Sequence, residues 1–326
     1  MQALTIGKVR GLQRCATPRG AISVLALDHR NNLRRVLHPE NPDATSPSEL
    51  TALKLEIVRA VAPASTAVLL DPEFGAAQAL AEGGLGAATG LVVALEATGY
   101  TGEPTARRSE LLAGWGVAKA KRMGADAAKL LVYYHPQAPT AAAIERLVRD
   151  VAGACADHDL ALFLEVLTYA PDSAKGKLTG TARREAVVEA ARRLTPLGGD
   201  VLKAEFPADV EADERAWAEA CTELTEASAV PWVLLSAGVG YDTYLRQVAV
   251  ACQAGAAGVA AGRAVWKEVT SLAGAERRAF LSDVARVRMA RVTALCDALA
   301  RPWTAGHSPQ PVDETWYRSY DAPQGG

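Results

Sequence analysis

The sequence has little net charge and no long apolar run. Its 35 basic and 37 acidic residues leave a net charge of -2 and are spread along the chain. A nucleic-acid-binding or membrane-bound surface needs clustered basic residues, so we expect neither nucleic acid nor a membrane as a partner. No apolar run is long enough to span a bilayer, and the N-terminus lacks the apolar core of a signal peptide.

Histidines and cysteines are also few, and none has metal-ligand spacing. The chain has five of each. The cysteine count is odd, and four of the cysteines stand in apolar, helix-like segments, which is typical of reduced core residues and not of a disulfide framework. These four are Cys155, Cys221, Cys252 and Cys296. We therefore expect a cytoplasmic protein without a metal site.

Aromatic residues make up only 6% of the 326 residues, although 49% are hydrophobic. The core must therefore consist mainly of Ala, Val and Leu, which suits helices packed on a parallel sheet. No linker is evident before the last two dozen residues, which favours one domain. We predict a barrel domain over residues 1–300 and an extended or disordered tail over 301–326, which Trp303 and Trp316 could dock onto the domain.

Eight short apolar segments alternate with helical patterns. The predicted strands are Ala21–Leu27, Thr66–Leu70, Leu91–Leu95, Ala128–Tyr133, Ala161–Val166, Val201–Phe206, Trp232–Ser236 and Gly258–Ala261. The predicted helices include Pro47–Val61, Arg108–Met123, Thr140–His158, Arg183–Leu194, Glu211–Ala227, Thr243–Ala254 and a last helix over Ala275–Ala300. Eight strand–helix units predict a (β/α)8 TIM barrel, with an open doubly wound sheet as the alternative.

Polar residues recur where the predicted strands end, which is where barrel enzymes carry their catalytic groups. They are Asp28, Asp71, Glu96, Glu165, Lys203, Glu205, Ser236 and Arg263. Lys129 is the exception, because it lies near the start of the fourth strand. For Asp71 we favour a helix N-cap, a common role for one carboxylate at a strand end.

The sixth strand places Lys203 and Glu205 on one face, because side chains alternate along a strand. A lysine on a buried strand can be a Schiff-base nucleophile or an interior cation neutralised by carboxylates. Strand parity turns Glu165 inward, next to Lys203, as a proton shuttle or an ion-pair partner. Lys129 could supply a second positive charge, and Asp28 would enter from the far side.

Glycine-containing turns follow the last two strands. Ser236 and Gly238 follow the seventh strand, and Gly262 and Arg263 follow the eighth. Loops at these positions often bind phosphate, because glycine allows backbone N–H groups to approach an anion and an arginine adds a bidentate donor. We therefore predict a phosphate-binding site.

Eight segments in collinear order, over roughly residues 15 to 300, together resemble the tagatose 1,6-bisphosphate aldolase family and the related sulfofructose-phosphate aldolases. They are Leu25-Ala-Leu-Asp28-His-Arg30, Leu70-Asp71-Pro-Glu-Phe-Gly75, Glu96-Ala-Thr-Gly-Tyr100, Lys129-Leu-Leu-Val-Tyr-Tyr134, Phe163-Leu-Glu165-Val-Leu-Thr-Tyr169, Val201-Leu-Lys203-Ala-Glu205, Leu235-Ser-Ala-Gly-Val239 and Gly262-Arg-Ala-Val-Trp266.

The resemblance implies a class I aldolase that needs no cofactor or metal and acts on a small phosphorylated sugar. It implies reversible cleavage of a ketohexose 1,6-bisphosphate, with tagatose 1,6-bisphosphate favoured, to dihydroxyacetone phosphate and glyceraldehyde 3-phosphate. Lys203 matches the Schiff-base lysine, Glu165 the acid/base glutamate, and Lys129 and Asp28 the supporting residues. Ser236, Gly238, Gly262 and Arg263 fall in the phosphate-binding loops.

The mouth of the predicted barrel departs from the family pattern. Asp28 is followed by His29, Arg30 and Asn31 where the tagatose enzymes tend to have Gln-Arg-Gly, and Tyr134 is followed by His135. His29 and Arg30 are therefore candidate substrate-binding residues, and the identity of the sugar stays open. A basic loop could reach a second phosphate or sulfonate, or it could be a solvated charged loop; it contains Lys175, Lys177, Arg183 and Arg184.

Three alternatives to this function remain. An aldolase for a 6-sulfo or 6-deoxy ketose 1-phosphate would keep the same mechanism. A metal-dependent aldolase or isomerase would use His29, His135 and nearby carboxylates. A sugar-phosphate-binding regulator would keep the pocket without turnover. Exposed helical faces on a barrel also leave homo-oligomerisation open.

Overall fold

The computed structural model describes residues 2–173, 177–318 and 320. Their strands are β1 Gln2–Leu4, β2 Ile22–Leu27, β3 Ala67–Leu70, β4 Gly90–Ala94, β5 Ala127–Tyr134, β6 Ala161–Thr168, β7 Val201–Ala204, β8 Trp232–Leu235, β9 Gly258–Ala261 and β10 His307–Pro309. Their α-helices are α1 Ile6–Arg14, α2 Asn31–Leu37, α3 Pro47–Val61, α4 Ala76–Ala81, α5 Val117–Met123, α6 Ala141–Asp157, α7 Gly180–Leu194, α8 Glu214–Ala227, α9 Tyr241–Gln253, α10 Arg263–Trp266, α11 Gly274–Ala279 and α12 Arg286–Leu299.

Strands β2 to β9 form a closed parallel barrel in chain order, and they correspond to the eight predicted strands. Ile22 of β2 is in register with Gly258 of β9, which closes the ring. The (β/α)8 prediction is therefore confirmed, and the open doubly wound sheet is excluded. None of the helices in the described residues is long and apolar enough to cross a bilayer.

Strand alternation sorts apolar side chains into two layers. On β6, Leu162 and Leu164 face outward and join the core under the helices. Ala161 and Phe163 face inward and pack with Val201 of β7 in the barrel interior. This arrangement follows from the period-2 pattern, since one face of each strand meets helices and the other meets the barrel axis. It puts Glu165 and Lys203 inside, as predicted.

One predicted helix is wrong over half its length. The prediction Arg108–Met123 reduces to Val117–Met123, because residues 95–116 form a long loop. Its backbone pairs with itself in antiparallel bridges, Glu96 with Leu111 and Thr101 with Arg108. These bridges satisfy backbone groups that a helix would have paired internally. The loop therefore runs beside the C-terminal end of β4.

The N-terminal end of the barrel is covered by α1 and by the β1–β10 pair. Leu12 of α1 packs with the barrel-interior cluster, and Lys8 Nζ lies 2.9 Å from Asp200 Oδ2, just before β7. From the predicted tail, Trp303 is only 3% exposed, and Tyr320 Oη accepts a hydrogen bond from Gly7 N at 2.9 Å. The domain boundary at residue 300 stays a prediction, and residues 319 and 321–326 lie outside the described part.

The last predicted helix also lies on the barrel's outside. A π-helical turn over Phe280–Ala285 joins α11 to α12. Helix α12 packs against α9, β2 and β9. It thus covers the seam where β9 meets β2.

Candidate active site

Lys129 lies at the centre of the barrel's C-terminal half, surrounded by carboxylates. Its side chain is fully buried, and its Nζ lies 2.7 Å from Asp28 Oδ2, 2.6 Å from Glu96 Oε1 and 2.8 Å from Glu165 Oε2. Asp28 follows β2 and Glu96 follows β4, so three strand ends converge on one ammonium group. The barrel thus brings together residues that lie far apart in the sequence.

Lys203 joins the same cluster through Glu165. Glu165 of β6 is in register with Lys203 of β7, and Lys203 Nζ lies 2.7 Å from Glu165 Oε2. One carboxylate oxygen therefore lies between two ammonium groups, Lys129 and Lys203. Such an oxygen can exchange a proton with either nitrogen without any movement of the backbone.

Asp28, Glu165 and Lys129 are ionised at neutral pH. Burial would raise the pKa of Asp28 and of Glu165, but Lys129 and Lys203 outweigh burial and hold both pKa values below their usual range. Burial would lower the pKa of Lys129, but Asp28, Glu165 and Glu96 raise it well above its ordinary value. Glu165 is therefore a carboxylate able to accept a proton.

His29 and Arg30 lie at the mouth but differ in charge. Burial lowers the pKa of His29 to about 4, so its imidazole is neutral at pH 7. Arg30 donates to Glu73 Oε2 and to the Glu96 carbonyl oxygen, both at 2.7 Å. The guanidinium of Arg30 is thus already engaged by protein groups.

Two residues behind the cluster hold strand ends in place. Lys54 of α3 is fully buried and donates to the Leu27 carbonyl at 3.0 Å and to Asp71. Asp71 also accepts from Phe74 N at 2.7 Å, whereas α4 begins with Gly75 as its N-cap. The predicted helix N-cap role of Asp71 is wrong, because its carboxylate holds the β3 turn and pairs with Lys54.

The turns after β8 and β9 meet as one surface. Gly262 N donates to Ser236 Oγ at 3.2 Å, and Ala237 and Gly238 adopt positive φ values of 46° and 79°. An alanine in that region is strained, and such strain often marks functional turns. The guanidinium of Arg263 lies against Gly238, where a Cβ would be 3.4 Å from its Cζ.

Arg263 has no counter-ion in direct contact within the described part of the chain. Among residues 2–173, 177–318 and 320, no carboxylate lies within salt-bridge distance of its guanidinium. Burial lowers the pKa of Arg263, and the negative charge of Glu165 offsets this effect only in part. The turns after β8 and β9 can therefore accept an anion.

A cavity of about 310 Å³ opens at the C-terminal end of the barrel and joins the two regions. Every predicted site residue except Gly238 lines it; these are Asp28, His29, Arg30, Lys129, Glu165, Lys203, Ser236, Gly262 and Arg263. Gly238 lines an adjacent cavity that shares His29 and Arg263. The chemical roles of these residues stay predictions, but one space connects the amine, the carboxylates and the unpaired arginine.

His135 does not join His29. It lines a separate cavity with Pro171 and Asp172, and in the part of the chain that the structure describes no three histidine, cysteine or acidic side chains are grouped as metal ligands. From the basic loop, Arg183 Nη2 lies 3.8 Å from Glu205 and Arg184 pairs with Glu223. Lys175 lies outside the described residues.

Sequence reasoning missed several residues around this cavity. The sequence identifies Glu96 only as a polar residue at a strand end, yet its side chain accepts hydrogen bonds from Lys129 Nζ at 2.6 Å and from Leu131 N at 3.0 Å. Lys54 sits on a helix and gave no signal, since its buried position depends on tertiary packing. Arg107 lay just before a segment predicted as helix, so its position near the mouth was not expected.

Comparison with known proteins identifies the family. The sequence pattern described as "DeoC/LacD family aldolase" matches residues 22–268. The chain is 28% identical over 286 residues to tagatose 1,6-diphosphate aldolase 2 of Enterococcus faecalis, covering 82% of this chain and 85% of that protein. It is 30% identical over 283 residues to tagatose 1,6-diphosphate aldolase 2 of Streptococcus mutans, covering 79% and 84%. The resemblance predicted from the sequence is confirmed.

Solved structures agree on the fold. A Schiff-base-forming fructose-1,6-bisphosphate aldolase superposes with a TM-score of 0.61 at 21% identity, over 89% of this chain and 99% of that chain. The fructose-bisphosphate aldolase of Plasmodium falciparum superposes with a TM-score of 0.66 at 13% identity, over 92% and 98%. At these identities the likeness concerns the barrel alone.

Proposed function

The chain belongs to the DeoC/LacD family of aldolases and is a class I aldolase, and from this premise we propose that it reversibly cleaves a ketohexose 1,6-bisphosphate, above all tagatose 1,6-bisphosphate. The products are dihydroxyacetone phosphate and glyceraldehyde 3-phosphate. The observation that carries the proposal is the 2.7 Å pair of Lys203 and Glu165 in the cavity. The names of the relatives from Enterococcus and Streptococcus support the choice of sugar.

Lys203 is the proposed nucleophile. As the open-chain ketose enters, the ammonium group gives a proton to Glu165 Oε2, and the free amine attacks C2 of the ketose. Glu165 returns its proton to the carbinolamine hydroxyl, which leaves as water, and the resulting iminium withdraws electrons from the C3–C4 bond. The iminium is thus the electron sink for cleavage.

Glu165 is the proposed base for cleavage. It accepts the C4 hydroxyl proton as the C3–C4 bond breaks, and glyceraldehyde 3-phosphate leaves with C4 as its aldehyde carbon. The electron pair of the broken bond remains as an enamine on Lys203. Protonation at C3 and hydrolysis then release dihydroxyacetone phosphate and restore the lysine.

Lys129 and Asp28 support these steps without forming a covalent bond. Lys129 fixes the Glu165 carboxylate at 2.8 Å, and its charge stabilises that carboxylate between proton transfers. Asp28 Oδ2 accepts a hydrogen bond from Lys129 Nζ at 2.7 Å. The Asp28 carboxylate also lines the cavity and can accept a hydrogen bond from a substrate hydroxyl. We assign both as positioning residues for the reacting carbons.

The C1 phosphate is assigned to the turns after β8 and β9. Backbone N–H groups near Gly238 and Gly262, the Ser236 hydroxyl and the Arg263 guanidinium offer the donors that a phosphate requires. His29 is neutral and can hydrogen-bond a sugar hydroxyl. Arg30 shapes the mouth while paired with Glu73.

Borohydride trapping tests the mechanism. The intact protein is reduced with sodium borohydride in the presence of dihydroxyacetone phosphate, and its mass is measured for the wild type, Lys203→Ala, Lys129→Met and the exposed control Lys119→Ala. We expect a covalent adduct in every protein except Lys203→Ala, with peptide mapping on Lys203. An adduct on Lys129, or no adduct in the folded wild type, would refute the Schiff-base assignment.

A second candidate is a 6-sulfo or 6-deoxy ketose 1-phosphate, cleaved by the same steps. The observation that favours the 6-deoxy sugar is the engagement of Arg30, because this mouth arginine already pairs with Glu73 at 2.7 Å. Comparing kcat/KM for the 1,6-bisphosphate with that for the 6-substituted 1-phosphates decides between them. The predicted cytoplasmic location and self-association stay predictions.

A further inference from the structure

The loop between β4 and α5 holds an arginine among three tyrosines. The Cζ atom of Arg107 lies 4.6 Å from the ring centroid of Tyr100, 5.6 Å from that of Tyr133 and 4.7 Å from that of Tyr169. Its Nε donates to the Pro104 carbonyl at 2.9 Å, and its backbone N donates to Tyr169 Oη at 3.3 Å. The side chain is therefore fixed in position.

This arrangement occupies the faces of the guanidinium and leaves its edge available. In the described ranges, 2–173, 177–318 and 320, no hydrogen bond or salt bridge involves the terminal nitrogens of Arg107. A guanidinium stacked on aromatic rings keeps its planar fork of N–H donors, which matches a phosphate or sulfonate group. The tyrosines thus orient the fork without neutralising it.

Tyr133 connects Arg107 to the active-site cavity. It lies on the same face of β5 as Lys129 and Leu131, and all three line the cavity. Tyr133 stands four positions after Lys129 on β5, which is about 13 Å along the strand. Arg107 therefore lies at the rim, above the lysine cluster.

The barrel order places this rim opposite the predicted phosphate turns. In the ring β2 to β9, β8 and β9 stand four positions from β4 and β5, which is the far side of an eight-stranded barrel. A ligand anchored by Arg263 after β9 and crossing Lys203 extends toward the side that carries Arg107. The two unneutralised arginines therefore suit a ligand with an anion at each end.

Other arginines at this end are already matched to carboxylates. Arg30 pairs with Glu73 at 2.7 Å, and Arg183 Nη2 lies 3.8 Å from Glu205. An added anion at either would compete with the existing carboxylate, whereas the groups that contact the Arg107 guanidinium within the described residues are tyrosine rings and a backbone carbonyl. This difference selects Arg107.

We propose that Arg107, oriented by Tyr100, Tyr133 and Tyr169, binds the anionic group at the far end of the substrate, a phosphate or sulfonate on C6. The proposal rests on the proposed function for the placement of C1. It makes Arg107 the residue that separates doubly anionic sugars from sugars with a single phosphate.

Calorimetric titration tests the site without turnover. The probes are a hexitol 1,6-bisphosphate, a hexitol 1-phosphate and a 6-deoxy-6-sulfohexitol 1-phosphate, none of which has a carbonyl to form a Schiff base. The proteins are the wild type, Arg107→Ala, Arg107→Lys and the control Arg108→Ala. Arg108 stands next in the same loop and is exposed, so its removal changes net charge equally.

In the wild type we expect the bisphosphate to bind more tightly than the monophosphate. Arg107→Ala should weaken bisphosphate binding by about 10- to 100-fold, the range for a lost charge-assisted hydrogen bond, and leave the monophosphate unchanged. Arg108→Ala should change neither by more than about 2-fold. If the tyrosines collapse in Arg107→Ala, Arg107→Lys carries the test, because it keeps the charge but loses the planar fork.

Equal weakening of both probes by Arg107→Ala, or none, would overturn the proposal. A larger loss for the sulfonate probe than for the bisphosphate would identify sulfonate as the natural group, and the reverse would identify phosphate. Arg107-dependent binding in a protein that forms no borohydride adduct would leave this anion site standing and remove the Schiff-base mechanism. A borohydride adduct in a protein whose bisphosphate binding is unchanged by Arg107→Ala would support the Schiff-base mechanism and remove this anion site.

Discussion

The charge balance around Lys129 gives a prediction with a calculable size. Lys129→Met keeps the unbranched apolar stem but removes the ammonium group that touches Asp28, Glu96 and Glu165 at 2.6 to 2.8 Å. Lys203 and Arg30 remain beside three carboxylates. The variant therefore buries an uncompensated negative charge, which is strongly destabilising.

Protonation limits how large this loss can become. The surplus charge disappears if one carboxyl binds a proton, and protonating a glutamate at pH 7, about 2.7 pH units above its unfolded pKa of about 4.3, costs about 3.7 kcal/mol. At pH 5 the same limit is about 1 kcal/mol. We therefore expect Lys129→Met to lose about 3 to 4 kcal/mol of unfolding free energy at pH 7 and much less at pH 5.

In the wild type, the stabilisation that the ionised Asp28 and Glu165 contribute stays nearly constant between pH 5 and pH 7. The folded pKa values of Asp28 and Glu165 lie below their usual range, so their stabilisation is complete above their unfolded values of about 4. It is lost only as the pH falls through the lower folded values. The difference in unfolding free energy between Lys129→Met and the wild type, followed from pH 5 to pH 7, therefore reports the surplus charge.

Urea unfolding followed by circular dichroism at pH 5, 6 and 7 measures this difference. The matched variant Lys129→Met/Glu96→Gln restores the charge count and leaves an amide oxygen for Leu131 N, so it should lie within about 1 kcal/mol of the wild type, as for other neutral replacements of buried ion pairs. A loss in Lys129→Met that is equal at pH 5 and pH 7, or a double variant as unstable as the single one, would refute the reasoning.

Two further predictions concern pH and backbone geometry. The neutral His29 has a pKa of about 4 in the fold against about 6.5 unfolded, so the wild type should lose up to about 3 kcal/mol as the pH falls between these values. Thermal unfolding should show that this dependence of stability on pH is absent in His29→Gln and still present in His158→Gln. Gly258→Ala, at φ 139° with its Cβ against the Ile22 backbone, should cost at least about 3 kcal/mol. In the same assay Gly153→Ala in α6, whose Cβ meets nothing within 4 Å, should gain up to about 1 kcal/mol; a stable Gly258→Ala would contradict the β2–β9 register.

The strands and their faces were readable from the sequence because they depend on local patterns. The eighth strand, Gly258–Ala261, and the helix Pro47–Val61 have the predicted bounds. Alternation along β6 also gave the inward direction of Glu165. Period-2 and helical patterns record burial on one face, and burial is what fixes these elements.

The neighbours within the site followed from chain order alone. Consecutive strands of a (β/α)8 barrel are adjacent, so Glu165 and Lys203 had to lie side by side once the fold was recognised. The same reasoning placed Lys129 one strand further round. Residues on strands could thus be assigned to one cavity before any distance was known.

Tertiary structure alone decided how the charges are shared. Arg30 follows a strand, as predicted, but its pairing with Glu73 depends on where a neighbouring loop runs. Lys54 reaches the site from a helix. Arg107 reaches the rim from a loop, part of which has the apolar spacing that is typical of a helix. Sequence periodicity reports which face of an element is buried, whereas a loop's path and a long side chain's partner depend on groups that only the folded chain brings near.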